Sequence, residues 1–236
     1  MSSHEVARHA VNSVKALHEK DKSLKKRLLN FLYELFIIVF AISISLLLER
    51  SRERSNNDEI EKRFLIGFRE DLESDIKELI SDSVSIVSQG DAALYFLNNT
   101  KYNPDSLNVH FGRFYSFTRF LPNNSRFEAL RGSGKLYVIH DNELLNEIMN
   151  LYQEKVPSML LESESYWNMK SLRLIPYIED NFKAESKASD VEKLLHTDKG
   201  INLLRQVSST QFLVSKYHYT IEQVKKIVAM IDREFQ

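Results

Sequence analysis

The sequence contains no cysteine, which excludes disulfides, thiolate-bound zinc, iron-sulfur clusters and a thiol nucleophile. That absence does not fix the compartment, because proteins of oxidising compartments also avoid thiols. Glycine and proline are scarce, six and four in 236 residues, and this argues against an all-β or loop-rich fold. Neither sign of charge dominates. Thirty-two basic side chains stand against thirty-three acidic ones, for a formal net charge of -1, and no basic stripe interleaves with exposed aromatics. The expectation is no nucleic-acid partner. GxSxG, HExxH, EF-hand and Gly-rich dinucleotide patterns are all missing. The length fits one ordinary domain plus attachments.

What the chain does have is one long apolar run. The charged stretch Lys20 to Arg27 gives way to LLNFLYELFIIVFAISISLLL and then to ERSRER. Leu28 to Leu48 is 21 residues, which as a helix reaches about 32 Å, the thickness of a bilayer's hydrocarbon core. Its uncharged part, from Leu35 to Leu48, would also suit a buried soluble helix, so length alone does not decide. Polarity does. Eleven large apolar residues between Leu35 and Leu48 cover every face of the helix and leave no side for water. They favour insertion by about 3 to 7 kcal/mol, against at most about 3 kcal/mol for the acidic Glu34. No small-x-small cleavage site follows, so the run reads as an uncleaved signal anchor rather than a signal peptide.

The flanks suggest an orientation. Arg8, Lys15, Lys20, Lys22, Lys25, Lys26 and Arg27 precede the span, whereas Arg50, Arg52, Arg54, Lys62 and Arg63 follow it. Positive residues tend to stay inside, so residues 1–27 form a basic cytoplasmic tail, 28–48 the span and 49–236 an outer domain. In a Gram-negative cell that places the C-terminal domain in the periplasm. The tail carries Val6, Ala10, Val14 and Leu17 at helical spacing, a pattern for lying on the anionic inner leaflet or for a short interaction helix. Within the span, Glu34 is close enough to the headgroups to snorkel or to sit on a helix–helix face. Ala41 and Ser45 are a small pair four apart that would let spans approach closely.

Beyond the span, Ile60, Phe64, Phe68, Leu72, Ile76, Ile80, Val84 and Val87 recur every three or four residues and predict a long helix with one apolar stripe. Gly90 is its expected stop. Asn98 to Asp105 is rich in turn formers. Phe111, Phe114, Phe117 and Phe120 fall three apart and predict a helix with an aromatic core face, although Leu107, Val109 and Phe111 also alternate as in a strand. Pro122 to Ser125 closes that element and can cap the next. Gly132 and Gly134 bracket a turn, and Asp141 or Asn142 caps a helix with acids in its first turn. Ala184 to Asp190 reads as a polar linker, Val191 to Leu195 and Ile201 to Phe212 as helices broken near Gly200, and Val214 to Phe235 as a closing helix.

The pattern Phe127, Leu130, Ser133, Gly134, Leu136, Ile139, Leu144, Ile148 and Tyr152 resembles a signature of an uncharacterised bacterial family, common in Bacteroidota, of short single-pass membrane proteins with a helical domain. Members share an acidic residue before an apolar run with small residues four apart, a charged exit and an ExxxLxxLxxDL-like helix. Here those features are Glu34, Ala41 with Ser45, ERSRER and EKRFLIGFREDL from Glu61 to Leu72. Members often have glycine and alanine in the span and an Asn/Trp-rich exit, where this chain has Ala41, Ser45 and arginines. The resemblance covers roughly residues 28 to 155 and implies a membrane-anchored helical domain, the nine motif residues being structural. It carries no catalytic residues.

Candidate chemistry is sparse. Gly134–Lys135 lacks the glycine and the hydroxyl of a phosphate loop, since Ala129 and Leu136 stand in those places. His218 and Glu222 lie four apart and could share a metal; His140 with Asp141 could form an acid–base relay. A surface hydrogen bond or salt bridge is the plainer reading of each. Glu162, Glu164, Glu179 and Asp180 are spread along elements, as on a solvated face. The expectation is an all-α, single-pass membrane protein that is not an enzyme and needs no cofactor or metal. It would serve as an oligomerising scaffold, accessory subunit or sensor with the lipid bilayer and a second copy or membrane partner as its contacts. The alternatives are a tethered enzyme using His140, Asp141 or Glu143, and a membrane-acting defence effector working through the span and Glu34.

Overall fold

The computed structural model describes residues 3–181 and 188–235, with side chains described from Lys26 onward except at Ala188. Among the described residues the chain forms helices and no strand, as the scarcity of glycine and proline predicts. It divides into two compact units, Met1–Glu59 and Ile60–Gln236. The basic tail, including Val6, Ala10, Val14 and Leu17, lies where only the backbone is described.

The first unit is the beginning of helix α1, Ser3–Asn98. Between Leu28 and Leu48 every large apolar side chain is exposed, from 42 % at Ile44 to 70 % at Leu29. An 18-residue window here has mean hydropathy 2.5 and none of it is buried, so the helix is long and apolar enough to cross a membrane. The two serine hydroxyls in this stretch are closed onto the helix itself. Ser43 Oγ donates to the Val39 carbonyl at 2.8 Å and Ser45 Oγ to the Ala41 carbonyl at 3.0 Å, so each serine proton has an acceptor.

The second unit packs the rest of α1 against α2 (Pro104–Tyr115), α3 (Ser125–Gly132), α4 (Asn142–Asn150), α5 (Val156–Met169), α6 (Ile175–Asn181), α7 (Ala188–Leu195), α8 (Asp198–Ser208) and α9 (Gln211–Glu234). Local chemistry sets several starts. Asn103 accepts from the Asp105 N–H at 2.8 Å with Pro104 in the first turn, Asp141 accepts from the Glu143 and Leu144 N–H groups, and Thr197 Oγ1 accepts from Gly200 N–H. The corner between α3 and α4 turns at Gly134, whose φ of 69° suits glycine. Asn124 stands at the N-cap of α3 but makes no side-chain cap bond.

Two prolines do not break the chain into separate helices. Residues 142–181 run on helically, with π-turns at Leu151–Lys155 and Lys170–Leu174 just ahead of Pro157 and Pro176. A proline ring clashes with the carbonyl four residues back in an α-helix, and widening that turn relieves the clash.

Four expectations are corrected. Helix α1 passes Gly90 and ends two turns later at Asn98. At Gly90 it is crossed by Thr210, whose Cγ2 would lie 2.9 Å from an added Cβ, so this glycine serves a close approach and not a stop. The aromatic helix ends at Tyr115: Ser116 is extended, Phe117 is exposed and Phe120 reaches the core from non-helical backbone. Gly200 sits in the first turn of α8; the break falls at His196–Thr197, and Phe212 belongs to α9. Of the expected linker, Ala188, Ser189 and Asp190 are helical, and 184–187 lie outside the described residues.

The long stripe is corrected as well. Buried positions on α1 step alternately by three and four through Leu65, Phe68, Leu72, Asp75, Leu79, Asp82, Ile86, Gln89, Ala93 and Phe96. That is a seam of period 3.5. The apolar residues read from sequence repeat mostly every four, which advances about 40° around the helix per step. They leave the seam, and Ile80, Val84 and Val87 end up 45 %, 65 % and 40 % exposed.

One core joins this seam up to Ile86 with Phe120, α3, α4 and α9. A second gathers Ala92, Ala93 and Phe96 with Tyr102, α2, α6, α7 and α8.

Candidate functional site

A core seam should be apolar, yet three successive heptads of α1 carry Asp75, Asp82 and Gln89, which are 2 %, 9 % and 2 % exposed. Burying such groups is costly unless they are partnered or neutral. Their environment is therefore the most informative place in the molecule.

Asp75 has partners. Its Oδ1 accepts from Asn123 N–H at 3.1 Å and from Asn123 Nδ2 at 2.7 Å. Burial pushes its pKa up to about 6; the Asn123 hydrogen bonds oppose that rise, and the Glu78 and Asp71 charges add to it. Glu78, one turn along, accepts from Leu121 N–H at 3.3 Å. Gln89 Oε1 accepts from Lys170 Nζ at 2.5 Å, and the same ammonium donates to the Ser116 carbonyl at 2.9 Å. Lys170 is 1 % exposed, stands over the Tyr166 and Trp167 rings at 5.6 and 5.7 Å, and is lowered by burial to about 8. Asp82 differs. Its Oδ2 is buried without a hydrogen-bond partner, and burial, reinforced by Glu78, raises it to about 6.

These bonds lash one segment to α1. Ser116 is tied at the level of Gln89, Leu121 at Glu78 and Asn123 at Asp75, so residues 116–124 form a strap antiparallel to the helix. The lengths agree: seven extended residues reach about 23 Å, and the fourteen helical residues from 75 to 89 about 21 Å. Phe120 anchors the strap in the core at 1 % exposure, and Phe117 packs on Trp167 with ring centroids 4.4 Å apart. Between strap and α5 is a cleft of about 370 Å³, lined by Phe117, Arg119, Leu121, Leu160, Glu164 and Trp167 among others.

The residues singled out from sequence fall elsewhere. Phe127, Leu130, Ile139, Leu144 and Ile148 are buried in the first core, Leu136 is half-buried against it, and the Ser133 hydroxyl donates to the Leu130 carbonyl. Tyr152 stacks on Phe127 at 4.8 Å, and its hydroxyl is buried without a partner near the Asp75 and Asp71 charges. Glu34, Ala41 and Ser45 are exposed on the first unit. His140 and Asp141 form no relay: His140 faces Glu61, whose Oε1 accepts its N–H at 2.7 Å and whose Oε2 meets its Nδ1 at 2.5 Å, while Asp141 is spent on its cap. Glu143 lies 3.7 Å from Lys226. His218 is exposed and Glu222 pairs with Lys225 at 2.9 Å. No group of three or more His, Asp or Glu able to hold a metal ion occurs among the described residues. Sequence reasoning passed over Asp75, Asp82, Gln89 and Lys170; the one available signal was the seven-residue spacing of the first three.

Comparison with protein-family models, with curated proteins and with solved structures finds no match.

Proposed function

We propose that this chain is a membrane-anchored, non-catalytic helical module that holds a scaffold or sensor domain at a bilayer. The observation that carries this reading is the stretch Leu28–Leu48, apolar on every face and exposed throughout, beside a second unit that encloses its own cores. Water is the wrong solvent for the first and the right one for the second. Basic residues before the span favour an inner-membrane location with the N-terminus cytoplasmic and residues 49–236 periplasmic. The resemblance to single-pass Bacteroidota-type proteins supports the same arrangement. The tethered-enzyme alternative would use His140, Asp141 or Glu143; of these, His140 faces Glu61, Asp141 caps α4, Glu143 lies near Lys226, and the latter two line an open surface pocket with Arg233 and Glu234.

Washing membranes with alkaline carbonate tests the anchor. The full-length chain stays with the lipid; release into the aqueous fraction removes the reading. The pair Ala41 and Ser45 further supports self-association through the span. Crosslinking in native membranes at normal expression should then return dimers or higher species, and a monomer alone would contradict that part.

A further inference from the structure

We propose that residues 116–124 are a proton-operated latch, shut along α1 while Asp82 is protonated and lifted when its carboxylate ionises. The inference goes beyond the anchoring reading and stands whether or not the chain crosses a bilayer.

Three observations carry it. The strap is fixed to α1 at Asp75, Glu78 and, through Lys170, Gln89, so it passes along the level of Asp82 between its outer ties. Asp82 lies buried there with an oxygen that no donor meets, a state that is costly for an anion and acceptable for a neutral acid. Among the described residues the groups facing the two acids include no compensating cation, and only Asp75 has donors that favour its charged form. Around Asp75 are Asp71 and Glu78 on its own helix, Tyr152 from the π-turn after α4 and Asn123 from the strap; Arg126 is engaged with Asp71 at 2.8 Å. Around Asp82 are Glu78 and the Tyr217 phenol of α9, whose oxygen accepts from Ser163. The buried ammonium, Lys170, is occupied by Gln89 and Ser116.

Linkage then sets the direction. With the strap shut Asp82 titrates near 6, against an ordinary value of 3.8 once hydrated. The shut form binds the proton more tightly, so acid closes it and rising pH opens it. Between pH 5 and pH 7.5 this carboxylate shifts the open-to-shut ratio about tenfold. Opening withdraws Phe120 from the core and Phe117 from Trp167, uncovering the polar seam of α1.

The test is amide hydrogen exchange on the full-length chain in detergent, with protection of Leu121 and Asn123 corrected for the intrinsic rate at each pH. Protection is expected to fall about tenfold from pH 5 to pH 7.5. In Asp82→Asn the fall vanishes, with the strap protected at both pH values, whereas Asp75→Asn, which keeps an oxygen for the Asn123 donors, retains it. Equal protection at the two pH values, greater protection at pH 7.5, or a fall that persists in Asp82→Asn would each overturn the latch.

Discussion

At the scale of single residues, what distinguishes this domain is charge placed where packing calls for hydrocarbon. Asp82 has its carboxyl held above the usual range by burial, so the folded chain binds a proton more readily than the unfolded chain between about pH 3.8 and 6. Over that window its contribution to stability falls as pH rises, and the full penalty persists above it. Asp82→Asn is therefore expected to raise the thermal midpoint in detergent, with a larger gain at pH 7 than at pH 5. Lys170 has the opposite sign. Burial lowers it to about 8, so between pH 8 and 10.5 the unfolded chain carries more protons and stability rises with pH; Lys170→Met should lose that alkaline rise. The strap's two rings separate core packing from surface contact. Phe120→Ala empties a buried site and should cost about 3–5 kcal/mol in denaturant titrations, whereas Phe117→Ala should cost under about 1 kcal/mol while shifting the Trp167 emission.

At the scale of elements, much of the helix plan was legible because its signals are local. The cap at Asp141, the glycine corner at 132–134 and the break after Asn98 are each written within a few residues. The α1 seam was not legible, because the residues that hold its period are polar and the apolar residues beside them drift off at a period of four. Asp75, Asp82 and Gln89 look like a solvated face until the strap and Lys170 are placed against them, and those partners are remote in sequence. The π-turns were hidden for a related reason: a proline announces strain, but whether the helix ends or widens depends on what packs around it. Glycines show the same dependence. At Gly200 an added Cβ would lie 2.5 Å from the Leu195 carbonyl oxygen and 2.6 Å from that of Leu194, which backbone cannot yield cheaply, so Gly200→Ala should destabilise by about 1–3 kcal/mol. At Gly67 the obstacle is the exposed Arg126 guanidinium, which can swing aside. There the helix-propensity gain of about 0.5–1 kcal/mol offsets a surface ion pair of similar worth, and Gly67→Ala should leave stability nearly unchanged.

At the scale of the whole molecule, the chain is divided by solvent. Residues 60–236 hold both cores and the strap, and the large apolar side chains of Leu28–Leu48 are all exposed. Deleting residues 1–59 is expected to leave a domain that stays in the aqueous fraction and melts cooperatively, as circular dichroism would show. The apolar run was the clearest feature of the sequence because a span is recognised by composition and length, without any tertiary partner. Its orientation is the part most open to direct measurement, and the native chain offers no competing thiol. Single cysteines introduced as Ser23→Cys and Ser189→Cys, probed with a membrane-impermeant thiol reagent on spheroplasts, test the account most directly. Labelling at position 189 with position 23 protected until the membrane is permeabilised is the predicted result; labelling of both positions, or of neither, before permeabilisation would contradict it.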